Sequence, residues 1–124
     1  MPIFTKTLEA AKLKSDAQQM ASVLRMARQE AITSGQQKDV VFYPSYAKYK
    51  LGSKYYYLSS GTEFVGNTKF PLRATKPTCS FLPSGATNMT PGTATLRNNN
   101  TLRYVIVHPG GRVRVSEEQP ESWE

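Results

Sequence analysis

The sequence has 124 residues, enough for one domain with its own core and too few for two. It is 39% hydrophobic and 20% charged, which is ordinary for a globular protein and excludes a disordered or membrane-embedded chain. The net charge is +7, and four of the nine acidic residues lie in the last eight positions, so residues 1–116 carry 16 basic and five acidic side chains. This excess of positive charge favours contact with an acidic partner, although a basic surface that only keeps the protein soluble would have the same composition.

The first predicted element is a long helix over about residues 5–34. Neither Gly nor Pro interrupts it, and Gly35 follows where a left-handed cap is expected. A helix of this length is roughly 45 Å long, whereas a compact domain of this size is roughly 35 Å across, so we expect the N-terminal half to project. Apolar residues at alternating spacings of four and three predict one buried stripe, which consists of Leu13, Ala17, Met20, Leu24, Ala27 and Ala31, extended backwards by Phe4, Leu8 and Ala11.

After Gly35 the pattern changes to short strands separated by Pro, Gly, Ser and Asn. One helix followed by antiparallel strands predicts an α+β fold, with the helix stripe covering one face of the sheet. The predicted strands are Asp39–Tyr43, Lys48–Leu51, Tyr55–Leu58, Thr78–Leu82, Thr93–Leu96, Leu102–Val107 and Arg112–Val115.

Four segments resemble those of one protein family. Leu24–Ile32 is similar to the "L-x-x-A-R-x-E-A-I" segment of GspH/FimT pseudopilins. Residues 80–85 and 92–96 resemble the family's "F-x-P-x-G" and "G-T-x-x-L" stretches, and residues 104–107 with 110–115 resemble its closing hairpin. The resemblance spans roughly residues 4–115. It implies a type IV pilin-like fold, with one N-terminal helix (about 5–34) packed on about six to seven antiparallel strands (about 38–115).

The resemblance also implies a function in assembly and binding, without catalysis. Family members carry a leader and a hydrophobic helix that holds the subunit in the inner membrane and later packs in the filament core. This sequence lacks both, so we expect them upstream in the native protein and Met1 to be an artificial start. The implied role is a minor pilin or pseudopilin of a type IV pilus or type II secretion system, with other such subunits as partners. The isolated domain, residues 1–116, is expected to be monomeric and to lie outside the cytoplasm.

The primary candidate site is Gly111-Arg112-Val113-Arg114. Residues two apart on a strand share a face, so the two Arg side chains would lie about 7 Å apart and could hold neighbouring phosphates. In the FimT branch a "G-R-x-R" sequence near the C-terminus is associated with DNA binding in natural transformation, and Gly111, Arg112 and Arg114 match it. The alternative is that the Arg residues form the solvated face of a structural strand.

Secondary DNA-binding candidates are Lys48, Lys50, Lys54, Arg103 and His108. The three Lys residues lie in a Tyr-rich meander, and aromatic and basic residues together are typical of single-strand nucleic-acid binding. Tyr on a half-buried sheet with Lys outward explains the same pattern without a ligand. His108 is expected in a turn beside Gly111, where it could form a pH-sensitive phosphate contact.

The remaining residues indicate no enzyme, metal site or cofactor. A single Cys and a single His cannot build a zinc site. Cys79 with His108 could form a thiol and its base, but a lone Cys beginning an apolar strand is typical of a small buried hydrophobe. The acidic tail, residues 117–124, is expected to be flexible; a further hypothesis is that it folds back to compete with phosphate at the Arg pair.

Overall fold

The computed structural model describes residues 2–65, 70–73, 75–87 and 92–118, with residues 2–6 and 73 described by their backbone alone. One helix, α1 (Pro2–Ser34), precedes nine strands within these ranges. The strands are β1 (Lys38–Tyr43), β2 (Lys48–Leu51), β3 (Lys54–Tyr57), β4 (Thr62–Phe64), β5 (Leu72–Arg73), β6 (Lys76–Phe81), β7 (Gly92–Asn98), β8 (Thr101–Val107) and β9 (Val113–Ser116), with a 3-10 turn at Pro44–Tyr46.

The helix ends where predicted, at Ser34, and the predicted apolar stripe is buried. Gly35 adopts a φ of +70°, and its backbone N–H donates to the Ala31 carbonyl at 3.0 Å, which caps the last turn. All six residues from Leu13 to Ala31 that define the stripe are fully buried. They pack on strands of both sheets, most extensively on β8. The apolar period of the sequence therefore identified the face that holds the fold together.

The N-terminal part of α1 projects, but less of it than the length argument predicted. The buried stripe begins at Leu13, while Leu8 is 55% exposed and Ala11 is also exposed. The projecting part thus lies within the first third of the helix, and Glu9 in this third already accepts hydrogen bonds from Asn99 of the β7–β8 turn. Phe4 lies outside the described side chains. No helix in the described ranges has the length and hydropathy of a membrane span.

The strands form two antiparallel sheets beneath α1. The first has the order β3-β2-β1-β6-β5, and the second has the order β4-β7-β8-β9. In the first sheet, Val40 and Phe42 face the core while Val41 and Tyr43 face outward, and the register pairs Val41 with Lys50 and Tyr43 with Lys48. In the second sheet, Val105 pairs with Val115 and Val107 with Val113 on the side of the helix.

The α+β fold is confirmed, with more strands than the six or seven predicted. β4 and β5 were not predicted, because strands of three and two residues are too short to show alternation. The other seven strands were predicted, with ends that agree to within two residues, which is the usual uncertainty of strand limits.

One buried polar contact fixes the position of the helix on the sheets. Asp16 is only 4% exposed, and its carboxylate accepts hydrogen bonds from the Ser59 backbone N–H at 3.1 Å and from the Ser59 hydroxyl at 2.8 Å. A buried carboxylate without donors would be strongly destabilising, so this pair specifies how α1 meets the β3–β4 connection. This contact could not be predicted from the sequence, because Asp16 is a lone acid beside the apolar stripe.

Candidate nucleic-acid interface

A tight contact among Arg28, Gly85 and Gly111 joins the end of α1 to the start of the candidate site; we call it the glycine joint. Arg28 Nε donates to the Gly85 carbonyl oxygen at 2.8 Å. Gly85 and Gly111 have φ values of +93° and +96°, which favour glycine. A Cβ on Gly111 would overlap that same carbonyl oxygen and lie 2.7 Å from Arg28 Nε. Gly111 therefore has a packing role, in addition to any role it plays beside a ligand.

A second set of bonds connects the same turns. The backbone N–H and the hydroxyl of Thr87 both donate to the Pro109 carbonyl, at 2.9 and 3.2 Å. The turn between β8 and β9 is closed by the Gly111 N–H donating to the His108 carbonyl at 2.8 Å. The helix end, the Gly85 turn and the Gly111 turn are far apart in the sequence and resembled one family separately. The structure brings all three together.

The Arg pair lies where the strand prediction placed it, with one difference at its start. β9 begins at Val113, so Arg112 lies just before the strand, but its carbonyl accepts from the His108 N–H at 2.9 Å and continues the β8–β9 ladder. Alternation places Arg112 and Arg114 on the face opposite Val113, which is buried against the core. Arg112 is exposed and Arg114 half-buried.

Two helix arginines lie beside this strand and were not among the candidates. Arg25 Nη2 donates to the Val113 carbonyl at 2.9 Å, across the edge of the second sheet, and Arg28 holds the glycine joint. The signal available in the sequence was their spacing of three on the helix, which puts both on one side of α1. The region around β9 is therefore more basic than the GRVR segment alone.

The structure divides the three Lys candidates between two faces of the first sheet. Lys48 and Lys50 lie on the outward face, where the Lys48 Nζ is 4.4 Å from the centre of the Tyr55 ring and the Lys50 Nζ is 5.6 Å from it. Lys54 lies on the opposite face, with its Nζ 5.1 Å from the Tyr56 ring. Lys48 and Lys50 therefore share a face that Lys54 does not, although Lys50 and Lys54 both line one pocket at the edge of the sheet. All three belong to a different sheet from β9.

The other two secondary candidates have different surroundings. His108 is half-buried in the β8–β9 turn, as predicted, and its backbone N–H donates to the Arg112 carbonyl. The Arg103 side chain is only 12% exposed, and its Nη1 lies 4.0 Å from the Glu117 carboxylate. The described start of the acidic tail thus meets Arg103. Residues 119–124 lie outside the described residues.

Two buried ionisable groups have strongly shifted pKa values. Burial raises the pKa of the Cys79 thiol, with the Asp39 carboxylate adding to the effect, so the reactive thiolate is suppressed. Burial likewise raises the pKa of Tyr49, with smaller contributions from Asp16 and Tyr56. Cys79 lies on β6 of the first sheet, whereas His108 follows β8 of the second sheet. In the described ranges no three His, Cys, Asp or Glu residues cluster as a metal site would require.

Comparisons with known proteins agree with this architecture. The structure is similar to the type IV minor pilin FimU of Pseudomonas aeruginosa, with a TM-score of 0.71 and 14% identity over 94% of this chain and 98% of that one. It is also similar to the minor pseudopilin EpsH of the Vibrio cholerae type 2 secretion system, with a TM-score of 0.68 and 18% identity over 85% of this chain and 96% of that one. At such identities the likeness establishes the fold.

The sequence comparisons address the family. No curated protein sequence matches this chain at a significant level. The model of the family described as type II transport protein GspH matches residues 16–111, which include most of the buried stripe of α1, strands β1 to β8 and the glycine joint. Because this match covers well over half of the sequence, the chain belongs to the GspH family of pilin-like proteins.

Proposed function

We propose that this chain is a minor pilin or pseudopilin subunit that takes part in assembly of a type IV pilus or a type II secretion pseudopilus. The observation that carries the proposal is the projecting start of α1. Leu8 is 55% exposed there, although the helix is continuous with the buried stripe that begins at Leu13. An apolar side chain on a helix that leaves its own domain is available to pack against a second subunit. The proposed role of the subunit is structural, and this role uses no cofactor.

Substitution of Leu8 tests this role. In cells that express the variant from its native gene context, Leu8→Asp should reduce incorporation into filaments, because a charge at a helix–helix contact must be desolvated. The purified domain should keep its unfolding midpoint, since Leu8 lies outside the core. Ser15→Asp, at an exposed polar position on the same helix, is the control. Wild-type incorporation of Leu8→Asp would exclude this helix segment as the subunit contact.

A second candidate function, a FimT-like DNA receptor for DNA uptake, rests on the β9 Arg pair. The supporting observation is that Arg112 is exposed, and alternation places Arg114 on the same face. His108 lies across the ladder from Arg112, and Arg25 lies at the strand edge. This arrangement can present guanidinium groups to adjacent phosphates of a duplex.

A titration with duplex DNA by fluorescence anisotropy tests the receptor. The Arg112→Ala/Arg114→Ala variant should bind at least about tenfold more weakly, and its salt dependence should fall by about two in the log–log slope. Arg97→Ala is the control, because Arg97 is an exposed Arg on β7 that pairs with Glu63. Equal losses in the two variants would show that only total charge matters, and would remove the GRVR site.

A further inference from the structure

We propose that the outward face of the first sheet binds single-stranded nucleic acid, with bases stacked on Tyr rings and phosphates held by Lys. This site lies on a different sheet from the GRVR strand and does not depend on it. We call it the Tyr–Lys face; it consists of Tyr43, Tyr46, Lys48, Lys50, Tyr55, Tyr57 and Lys76.

The aromatic part of this face is unusually open to solvent. Tyr46 is 72% exposed, Tyr57 is 63% exposed and Tyr55 is 39% exposed. Tyr55 and Tyr57 are two residues apart on β3, an edge strand, so their rings emerge on one side about 7 Å apart. Exposed apolar side chains on a soluble protein are usually scattered singly over its surface. A group of exposed rings at one place is therefore typical of a binding surface.

One lysine holds the rings in place. The Lys48 Nζ lies within 4.4–5.9 Å of the centres of four Tyr rings, those of Tyr43, Tyr46, Tyr55 and Tyr57. Each such contact is a favourable cation–π geometry. Because the rings are already arranged around the ammonium group, less conformational entropy remains to be lost when a ligand stacks on them.

The charge of the face suits a polyanion. Lys48 and Lys50 come from β2, Lys76 comes from β6, and no carboxylate in the described ranges forms a salt bridge with any of the three. Asp39 of β1 shares this face by alternation and lines a pocket with Lys50, at the end of the strand away from Tyr43. The lysines thus outnumber the one β1 carboxylate, and positive charge predominates beside the rings at the Tyr43 end.

Rings and cations together favour an unpaired strand as the ligand. In a duplex the faces of the bases are covered by their neighbours, whereas a single strand offers both its base faces and its phosphates. A purely electrostatic surface would need the Lys residues and not four tyrosines. An acidic polysaccharide is the competing polyanion, and the experiment separates the two.

The test uses fluorescence anisotropy with a labelled oligothymidine of about 15 nucleotides and an abasic strand of equal charge. The wild-type chain should bind oligothymidine at least about tenfold more tightly than the abasic strand. Tyr57→Ala and Tyr55→Ala should each remove about five- to tenfold of that preference and leave abasic binding unchanged. Lys50→Ala should weaken binding of both strands and lower the log–log salt slope by about 0.7.

The matched control is Lys54→Ala, which removes the same charge from the same hairpin on the opposite face. It should bind oligothymidine more tightly than Lys50→Ala does. The proposal is overturned if oligothymidine and the abasic strand bind equally, or if the Tyr variants retain wild-type binding. It is also overturned if the Tyr variants lose binding to heparin but not to DNA, or if only Arg112→Ala/Arg114→Ala lowers oligothymidine affinity.

Discussion

The glycine joint and the Tyr–Lys face use basic side chains in opposite ways. At the joint, Arg28 donates to the Gly85 carbonyl, and that carbonyl leaves no room for a side chain at Gly111. On the face, Lys48 is held by rings that are themselves exposed to solvent. A basic residue can therefore stabilise the fold in one region and remain available for a ligand in the other. The two regions should respond differently to substitution.

The largest effect is expected at the joint. Gly111→Ala should lower the free energy of unfolding by about 3 kcal/mol or prevent folding, because the new Cβ meets the Gly85 carbonyl and the positive φ disfavours alanine. Gly110→Ala is the adjacent control, since a Cβ there meets nothing within 4 Å; its change should stay within about 0.5 kcal/mol. Urea denaturation measures both. Similarly small changes in the free energy of unfolding of the two variants would show that the glycine joint can accommodate a side chain at Gly111.

The next effect concerns the arginine of the joint. Arg28→Gln should cost about 2 kcal/mol, because it leaves the Gly85 carbonyl without its charged donor. Arg25→Gln removes a bond of similar length to the Val113 carbonyl, but Arg25 is more exposed, so about 1 kcal/mol is expected. Urea denaturation of the two variants measures the difference. A larger loss of stability in Arg25→Gln than in Arg28→Gln would mean that the Arg25–Val113 hydrogen bond stabilises the fold more than the Arg28–Gly85 hydrogen bond does.

A smaller effect of opposite sign is expected beneath the Tyr–Lys face. The Tyr49 hydroxyl is buried without a hydrogen-bond partner in the described part of the chain, so Tyr49→Phe should stabilise by up to about 1 kcal/mol. Burial raises the pKa of Tyr49 above its ordinary 10.0. Above about pH 10 the unfolded chain therefore releases a proton that the folded chain keeps, and stability falls as pH rises.

Tyr49→Phe should remove this part of the alkaline loss. Unfolding curves recorded in urea at about pH 8 and about pH 10.5 measure it. Tyr57→Phe, at an exposed position of the same sheet, is the matched control, and its pH dependence should follow that of the wild type. If the Tyr49 variant keeps the full alkaline loss, this tyrosine is not its source.

The smallest effect on stability is expected on the Tyr–Lys face itself. Tyr57→Ala should change the free energy of unfolding by no more than about 0.5 kcal/mol, because its ring is 63% exposed. Urea denaturation measures this, and the same sample should show the loss of oligothymidine binding. A destabilisation as large as that of Arg28→Gln would mean that the Tyr57 ring stabilises the fold. The Tyr–Lys face and the glycine joint would then not differ in the way described.

The sequence predicted the helix and its buried side well, because both follow from local periodicity. The stripe from Leu13 to Ala31 and the cap at Gly35 need only the regular geometry of a helix. The seven longer strands were predicted for a similar reason. β4 and β5 were not, since two or three residues acquire strand geometry from their neighbours and not from their own pattern.

The candidate site was predicted only in part. The buried Val113 at the start of β9 agrees with the predicted alternation, while the shared face of Arg112 and Arg114 and their contact with DNA stay predictions. The packing role of Gly111 could not be predicted, because it depends on a carbonyl 26 positions earlier and on an arginine of the helix.

By itself, the sequence of this protein determined its regular elements, its basic charge and its membership of a pilin-like family, since these follow from local patterns and short motifs. Only the tertiary structure decided which basic residues share a face. It separated Lys54 from Lys48 and Lys50, and it brought Arg25 to β9 and Arg28 to the two glycines of the joint. It also turned Arg103 towards Glu117. The physical reason is that sheet register and helix docking are set by contacts between distant segments, which no local period encodes.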